Sequence, residues 1–245
     1  NFDWKRPIYF TGGSNADSEF IWLKDYLQLD GLAFKLVPIF SPNKYRTSSG
    51  ELVEKTMFDM GRIDPDKMYS NVKKWDFRNI NDGKIYLDTQ TKRNAISMRN
   101  NLMRLAETFA QEGDTIKANE ILDLSLEKMP IKDFGHYSIS LGYPELYYKL
   151  GNKEKARQTT DTLASIFDQK MVHYGTYNEN NIELVFENIE SDIYMYQQLL
   201  RYSERFEGAE SEQFNSIRKR YNNILNNINF LFPDEEETTD DLIKE

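Results

Sequence analysis

The spacing of large and small apolar residues in the middle of the chain constrains the fold most. Leu102, Leu105, Ala106, Phe109, Ala118, Leu122 and Pro130 stand at relative positions 0, 3, 4, 7, 16, 20 and 28. The first four share one helical face. The glycine and aspartate at Gly113-Asp114 break the pattern where a tight turn would fall. Small side chains at Ala106 and Ala118 let two antiparallel helices approach closely, while the large residues fill the space around them. A helical hairpin is the economical solution. A second set follows at Tyr143, Tyr147, Gly151, Ala156 and Leu163. It departs from the first at Pro144, where a small residue is expected, and at Thr160, where a large apolar one is.

These spacings resemble those of the tetratricopeptide repeat. Ala118 to Ala156 spans 38 residues, against about 34 for that repeat, so the resemblance implies a longer connection. From residue 88 onward start and stop signals predict six helices. Asp88 opens a helix to Gln111, stopped by Gly113. Asp114 or Thr115 opens a second to Met129-Pro130, and a third runs from Tyr137 to Lys149. Asn152 opens a fourth to His173. A fifth covers Ile182 to Phe206 and a sixth Ser211 to Phe232. Short loops predict antiparallel neighbours. Before residue 88 the signals are mixed. Arg6 to Phe10 and Ala33 to Phe40 are rich in strand formers, with a helix from Asp17 or Ser18 to Leu27 between them. That order predicts a small parallel strand pair with a right-handed crossover. Ser41 to Gly50 reads as loop, Glu51 to Met60 as a further short strand or hairpin arm, and Asp64-Pro65 as the cap and first residue of a helix to Lys74. Asn79 to Gly83 is a turn. The expected fold class is mainly α: tetratricopeptide-like antiparallel helical hairpins preceded by a small α+β segment. The expected division is 1–87 for the α+β segment, 88–232 for the helical array and 233–245 for an acidic tail.

Composition narrows the chemistry. The chain has 33 aromatics among 245 residues, enough large rings for a core. It has no cysteine, which excludes disulfides, zinc–thiolate sites and cysteine nucleophiles. The net charge is −9, which argues against a nucleic-acid partner. Residues 233–245 carry a net −6, leaving −3 for the other 232. No run approaches the roughly 18 apolar residues of a membrane helix. The chain begins at Asn1 without methionine, and it is expected to be a piece of a longer protein. Gly12-Gly13 after a strand lacks the spacing of either phosphate-loop motif and reads as a turn. His136, with Asp133 three residues earlier, reads as a loop histidine, and His173 as a helix-end cation. Glu183, Glu187 and Glu190 share a helical face and read as solvated carboxylates. No catalytic, cofactor-binding or metal-binding residue is assigned.

The N-terminal third carries a further resemblance. Arg6 to Phe10, Tyr26 to Pro38, Asp64 to Tyr69, Ile80 to Asp82 and Tyr86 to Asp88 resemble the soluble segment of the domain of unknown function 2723 family. These are polytopic bacterial membrane proteins related to protein O-mannosyltransferases. The resemblance spans residues 5 to 170 and implies that any transferase chemistry belongs to a membrane region outside this chain. It also implies a place on the periplasmic side of the inner membrane. The expected function is a non-catalytic interaction or scaffold module, attached to the membrane only through the rest of its parent. Its partner is a protein or peptide segment. The repeat register puts Asn100, Met103, Glu107, Ala110, Ser138, Leu141, Glu145 and Tyr148 along the partner groove. The alternatives are a glycan-binding accessory domain, stacking sugars on Trp22, Trp75 or Tyr148, and an enzyme in its own right. The groove itself stands open to one further alternative, in which the N-terminal segment or the fifth helix fills it.

Overall fold

A computed structural model describes residues 4–11, 20–47, 49–56, 58–177 and 182–228. The Gly12-Gly13 turn, the Asp17/Ser18 helix start and the acidic tail lie outside these residues. The chain is mainly α after a small N-terminal α+β segment. It divides into two compact units, Asn1–Leu150 and Gly151–Glu245.

The first unit opens with β1 (Tyr9–Thr11), a 3-10 helix (Ile21–Tyr26), β2 (Leu27–Leu29) and β3 (Ala33–Leu36). These are followed by β4 (Lys44–Arg46), β5 (Leu52–Glu54) and β6 (Arg62–Ile63). The sheet order is β1-β3-β2-β6, and β4 pairs with β5 in a separate hairpin. The expected parallel pairing of the first two strand runs is wrong. β1 pairs antiparallel with β3, because β2 lies between them in sequence and reverses the chain. Tyr26 and Leu27 sit at helical spacing from Phe20 and Leu23, which hid the strand. The turn after it is set by Gly31 at φ 97°, with the Asp30 amide donating to Ala33 O at 2.9 Å. The parallel pair is instead β2 with β6. β4 also lies inside the segment read as loop.

Cross-strand register puts Phe10, Phe34, Leu29 and Ile63 on one row, and Tyr9, Lys35, Gln28 and Arg62 on the next. The first row meets Phe20, whose ring stacks on Phe10 at 4.8 Å and lies 6.1 Å from Phe34.

Helix α1 (Pro65–Val72) starts as expected, with Asp64 accepting from the Lys67 amide at 3.3 Å. Its Tyr69 ring meets Phe109 edge-on at 5.6 Å. Helices α2 (Thr89–Gln111) and α3 (Thr115–Lys128) form the predicted hairpin. Asp88 caps α2 through the Gln90 and Thr91 amides, and Asp114 caps α3 through Lys117. Gly113 makes the turn at φ 85°, a conformation costly for any side chain. All six apolar packing positions of the hairpin, Leu102 to Leu122, are buried.

Beyond Pro130 the single third helix is not found. A one-turn helix, α4 (Ile131–Phe134), comes first, and two pieces then replace the predicted helix: α5 (Tyr137–Ser140) and α6 (Gly142–Lys149). Pro144 has no N–H to offer the Ser140 carbonyl, so a continuous helix would lose its bond there.

The second unit contains α7 (Lys153–Tyr174), α8 (Phe186–Glu207) and α9 (Glu212–Ile228), each packed on the other two. Asn152 caps α7, and Gly208 at φ 93° ends α8. Thr160 is fully buried despite its hydroxyl, which donates to Ala156 O at 2.9 Å.

Candidate functional site: a charged cleft along α2

Helix α2 has two working faces. Leu102, Leu105, Ala106 and Phe109 point into the hairpin. Asn100, Asn101, Arg104, Glu107, Thr108 and Gln111 follow the other stripe. This second stripe meets the α+β segment, so the N-terminal alternative for filling the groove is realised in part. Asn100 Nδ2 donates to Phe58 O at 2.7 Å, and Asn101 Nδ2 to Gly31 O at 2.8 Å. Arg104 grips the same loop at three points. Nη1 donates to Phe58 O at 3.2 Å and to Met60 O at 2.9 Å, and Nη2 to Gly61 O at 2.7 Å. Gly61 holds φ 78°, and a Cβ there would come within 3.2 Å of the Phe34 ring. The loop therefore presents its carbonyls to one guanidinium because a glycine lets it bend there.

Next to this clamp lies a cleft of about 680 Å³. It is lined by Ser41, Tyr45, Lys55, Asp59, Arg62 and Ile63 from the α+β segment, and by Arg104, Glu107, Thr108 and Gln111 from α2. Both signs of charge line it. Burial pulls the Lys55 ammonium below its ordinary pKa, Arg104 adds to this, and Asp59 opposes it. Glu107 is accessible at the mouth yet walled by protein, and that desolvation holds its carboxyl above the usual range. Lys149 and Arg104 oppose the shift, while Glu145 and Asp59 reinforce it. Burial also lowers Arg104, against the attraction of Asp59 and Glu107. Perturbed ionisable groups gathered in one concave place mark a candidate binding site.

The residues predicted for the groove divide sharply. Glu107 lines the cleft. Asn100 is half-buried and committed to Phe58. Met103 packs where a Cβ on Gly142 would collide with its methyl. Ala110 is half-buried and Ser138 exposed. Glu145 is half-buried and pairs with Lys149 at 2.8 Å. Leu141 and Tyr148 are 7% and 6% exposed and offer no groove surface. The register failed there because the helix is interrupted at Leu141. The sequence reasoning missed Lys55, Asp59, Arg62 and Arg104. The signal for Arg104 was available, since it sits at i+4 from Asn100 and i−3 from Glu107 on one stripe. The other three come from sequence-distant loop and strand positions, which no local pattern marks.

The remaining candidates keep their modest roles. His136 stands at φ 53°, its pKa held down by burial and by Arg99, Arg93 and Lys92. His173 ends α7 with its Nε2 3.2 Å from the Tyr177 hydroxyl. Glu183, Glu187 and Glu190 are exposed, and no cluster of metal-ligating side chains occurs among the described residues. None of the described helices is long and apolar enough to cross a membrane.

Residues 1–67 match the model of a family described as TMEM260-associated domain 2. By that description it is a membrane-protein-associated domain. The matched stretch covers β1 to β6 and the first residues of α1. No curated protein and no solved structure matches the chain.

Proposed function

We propose that the chain is a non-catalytic interaction module of a polytopic membrane protein of the domain of unknown function 2723 kind. We place it on the periplasmic side, where its cleft takes an extended peptide segment of a partner. The observation that carries the reading is the mixed-charge lining, with Lys55, Arg62, Asp59 and Glu107 around one concavity. A peptide supplies backbone donors and acceptors along its length and side chains of either sign. Such a surface favours specificity by charge pattern over raw affinity. The match of the α+β part to a membrane-protein-associated domain supports the setting.

The test is affinity recovery from cell-envelope extract with the wild-type chain, Glu107→Arg and Lys55→Glu. A defined partner retained by the wild type and lost by both variants, at unchanged melting temperature, is expected. Equal recovery by all three sinks the cleft as the docking place.

A second reading, a glycan-binding accessory domain, rests on Trp22. Its side chain is 74% exposed, whereas Trp75 is half-buried beside Gly31 and Tyr148 is buried. Sugar stacking in this reading therefore falls to Trp22 alone among the three aromatics.

A further inference from the structure

A second cavity lies at the other end of the helical hairpin, away from the cleft residues. Its volume is about 410 Å³, within the ~300–1,000 Å³ range of small-molecule sites. The walls are the 80–87 loop, the first turns of α2 and the one-turn helix α4. The lining includes Lys84, Lys92 and Lys132, together with Asp82, Asp133 and Tyr86. Among the described residues none of these lysines stands in an ion pair. With Asp82 and Asp133 the only carboxylates among the described lining residues, the three ammonium groups leave the hollow with a net positive charge.

The loop is held in shape independently of the lysines. Asp82 Oδ1 accepts from the Lys84 amide at 3.1 Å, and the Ile85 amide donates to Asp82 O at 2.9 Å. Asn81 Nδ2 ties the loop to Glu127 O at the end of α3, at 3.2 Å. The same end of the hairpin carries a further cation. Arg99 is fully buried, and its partners are carbonyls and a hydroxyl rather than a carboxylate. Lys92 and Arg99 both depress the proton affinity of His136 nearby.

We infer that this cavity binds a phosphorylated, hydroxyl-rich small molecule of sugar-phosphate size. The three ammonium groups suit a phosphate, each as a compact point charge with three donors. The two aspartates would repel a bare anion, but they are the right acceptors for ring hydroxyls. Tyr86, 88% exposed, supplies a flat apolar face at the rim for the ring to stack on. The site shares no residue with the peptide cleft, so either reading stands if the other falls.

The test is titration of the isotope-labelled chain with glucose 1-phosphate, glucose and inorganic phosphate, followed by amide shifts. Saturable shifts confined to the 80–87 loop and the starts of α2 and α4 are expected with glucose 1-phosphate. Inorganic phosphate binds more weakly, and glucose alone gives no saturation. The double variant Lys92→Gln, Lys132→Gln weakens glucose 1-phosphate by at least about ten-fold. Asp133→Asn, which keeps all three lysines, weakens glucose 1-phosphate while leaving inorganic phosphate as tight or tighter. Absence of saturation, or undiminished affinity in the double variant, overturns the site. Equal affinity for inorganic phosphate and glucose 1-phosphate overturns the sugar part of the assignment.

Discussion

The two units satisfy their buried polar groups in opposite ways. In the first, arginines are spent on backbone carbonyls. Arg99 donates to Met129, Pro130 and Gly135, and Arg104 to Phe58, Met60 and Gly61. In the second, cations meet carboxylates across helices. Arg220 binds Asp168, Lys170 binds Asp192 and Arg157 binds Glu207. The difference follows from backbone geometry. A regular helix consumes its own carbonyls, so the three long helices of the second unit leave few to bond and tie together through side chains. The first unit has a segment of very short strands joined by loops and a run of broken helical turns. Their carbonyls need donors, and a guanidinium supplies up to five N–H groups in a fixed fork.

Three measurements break or sharpen that contrast. The largest effect is expected for Arg99→Ala. It strips donors from the Met129, Pro130 and Gly135 carbonyls and empties the space of a side chain with no exposed area. A loss of about 3–5 kcal/mol is expected. Urea unfolding with amide exchange read separately in each unit should localise it before residue 150. A loss spread evenly would contradict the assignment.

The next test uses alkali. Tyr143 is buried against the Ser125 hydroxyl at 2.5 Å, and burial pushes its phenol up to about 12. The folded pKa lies above the unfolded one, so its contribution is intact below about pH 10 and is lost as pH rises toward 12. The alkaline loss from this one phenol is on the order of 3 kcal/mol. Tyr143→Phe should flatten that part of the pH–stability curve, and an unchanged slope would refute the cause. In the second unit Tyr174 and Tyr196 are raised by burial and by their carboxylate neighbours, Asp192 and Asp168.

The smallest effect is expected for Asp192→Asn. It keeps an acceptor for the Tyr174 hydroxyl but removes a carboxylate that pairs with Lys170. Lys170 is about one-third exposed and can return to water, so a loss of only about 1–2 kcal/mol is expected by chemical denaturation. A loss as large as that of Arg99→Ala would erase the distinction between the two units.

The same contrast explains what was legible in the sequence. The caps at Asp64, Asp88, Asp114 and Asn152 were readable because a cap and its amides lie within three residues. The hairpin was readable because its packing positions recur at helical spacing. β2 was not, because three strand residues joined to a 3-10 helix continue the apolar spacing of that helix. Pro144 was noticed as a misfit, but the break falls three residues earlier, at Leu141. Arg99 and Arg104 were invisible as organising residues because their partners are carbonyls, which every residue carries. Glu107 could be read onto an outer stripe of α2, while the cleft around it depends on contacts more than 40 residues away in sequence.

Arg99 also sets where the protein can be cut. Its partners begin at Met129 and end at Ser140, outside the two helices of the hairpin it serves. A fragment ending at Pro130 would keep every packing residue of α2 and α3, together with the Met129 and Pro130 carbonyls, and still strip Arg99 of its Gly135 and Ser140 acceptors. A piece of the chain that keeps every Arg99 acceptor extends through Ser140. During synthesis, Arg99 finds its full set of acceptors only once those later residues have emerged.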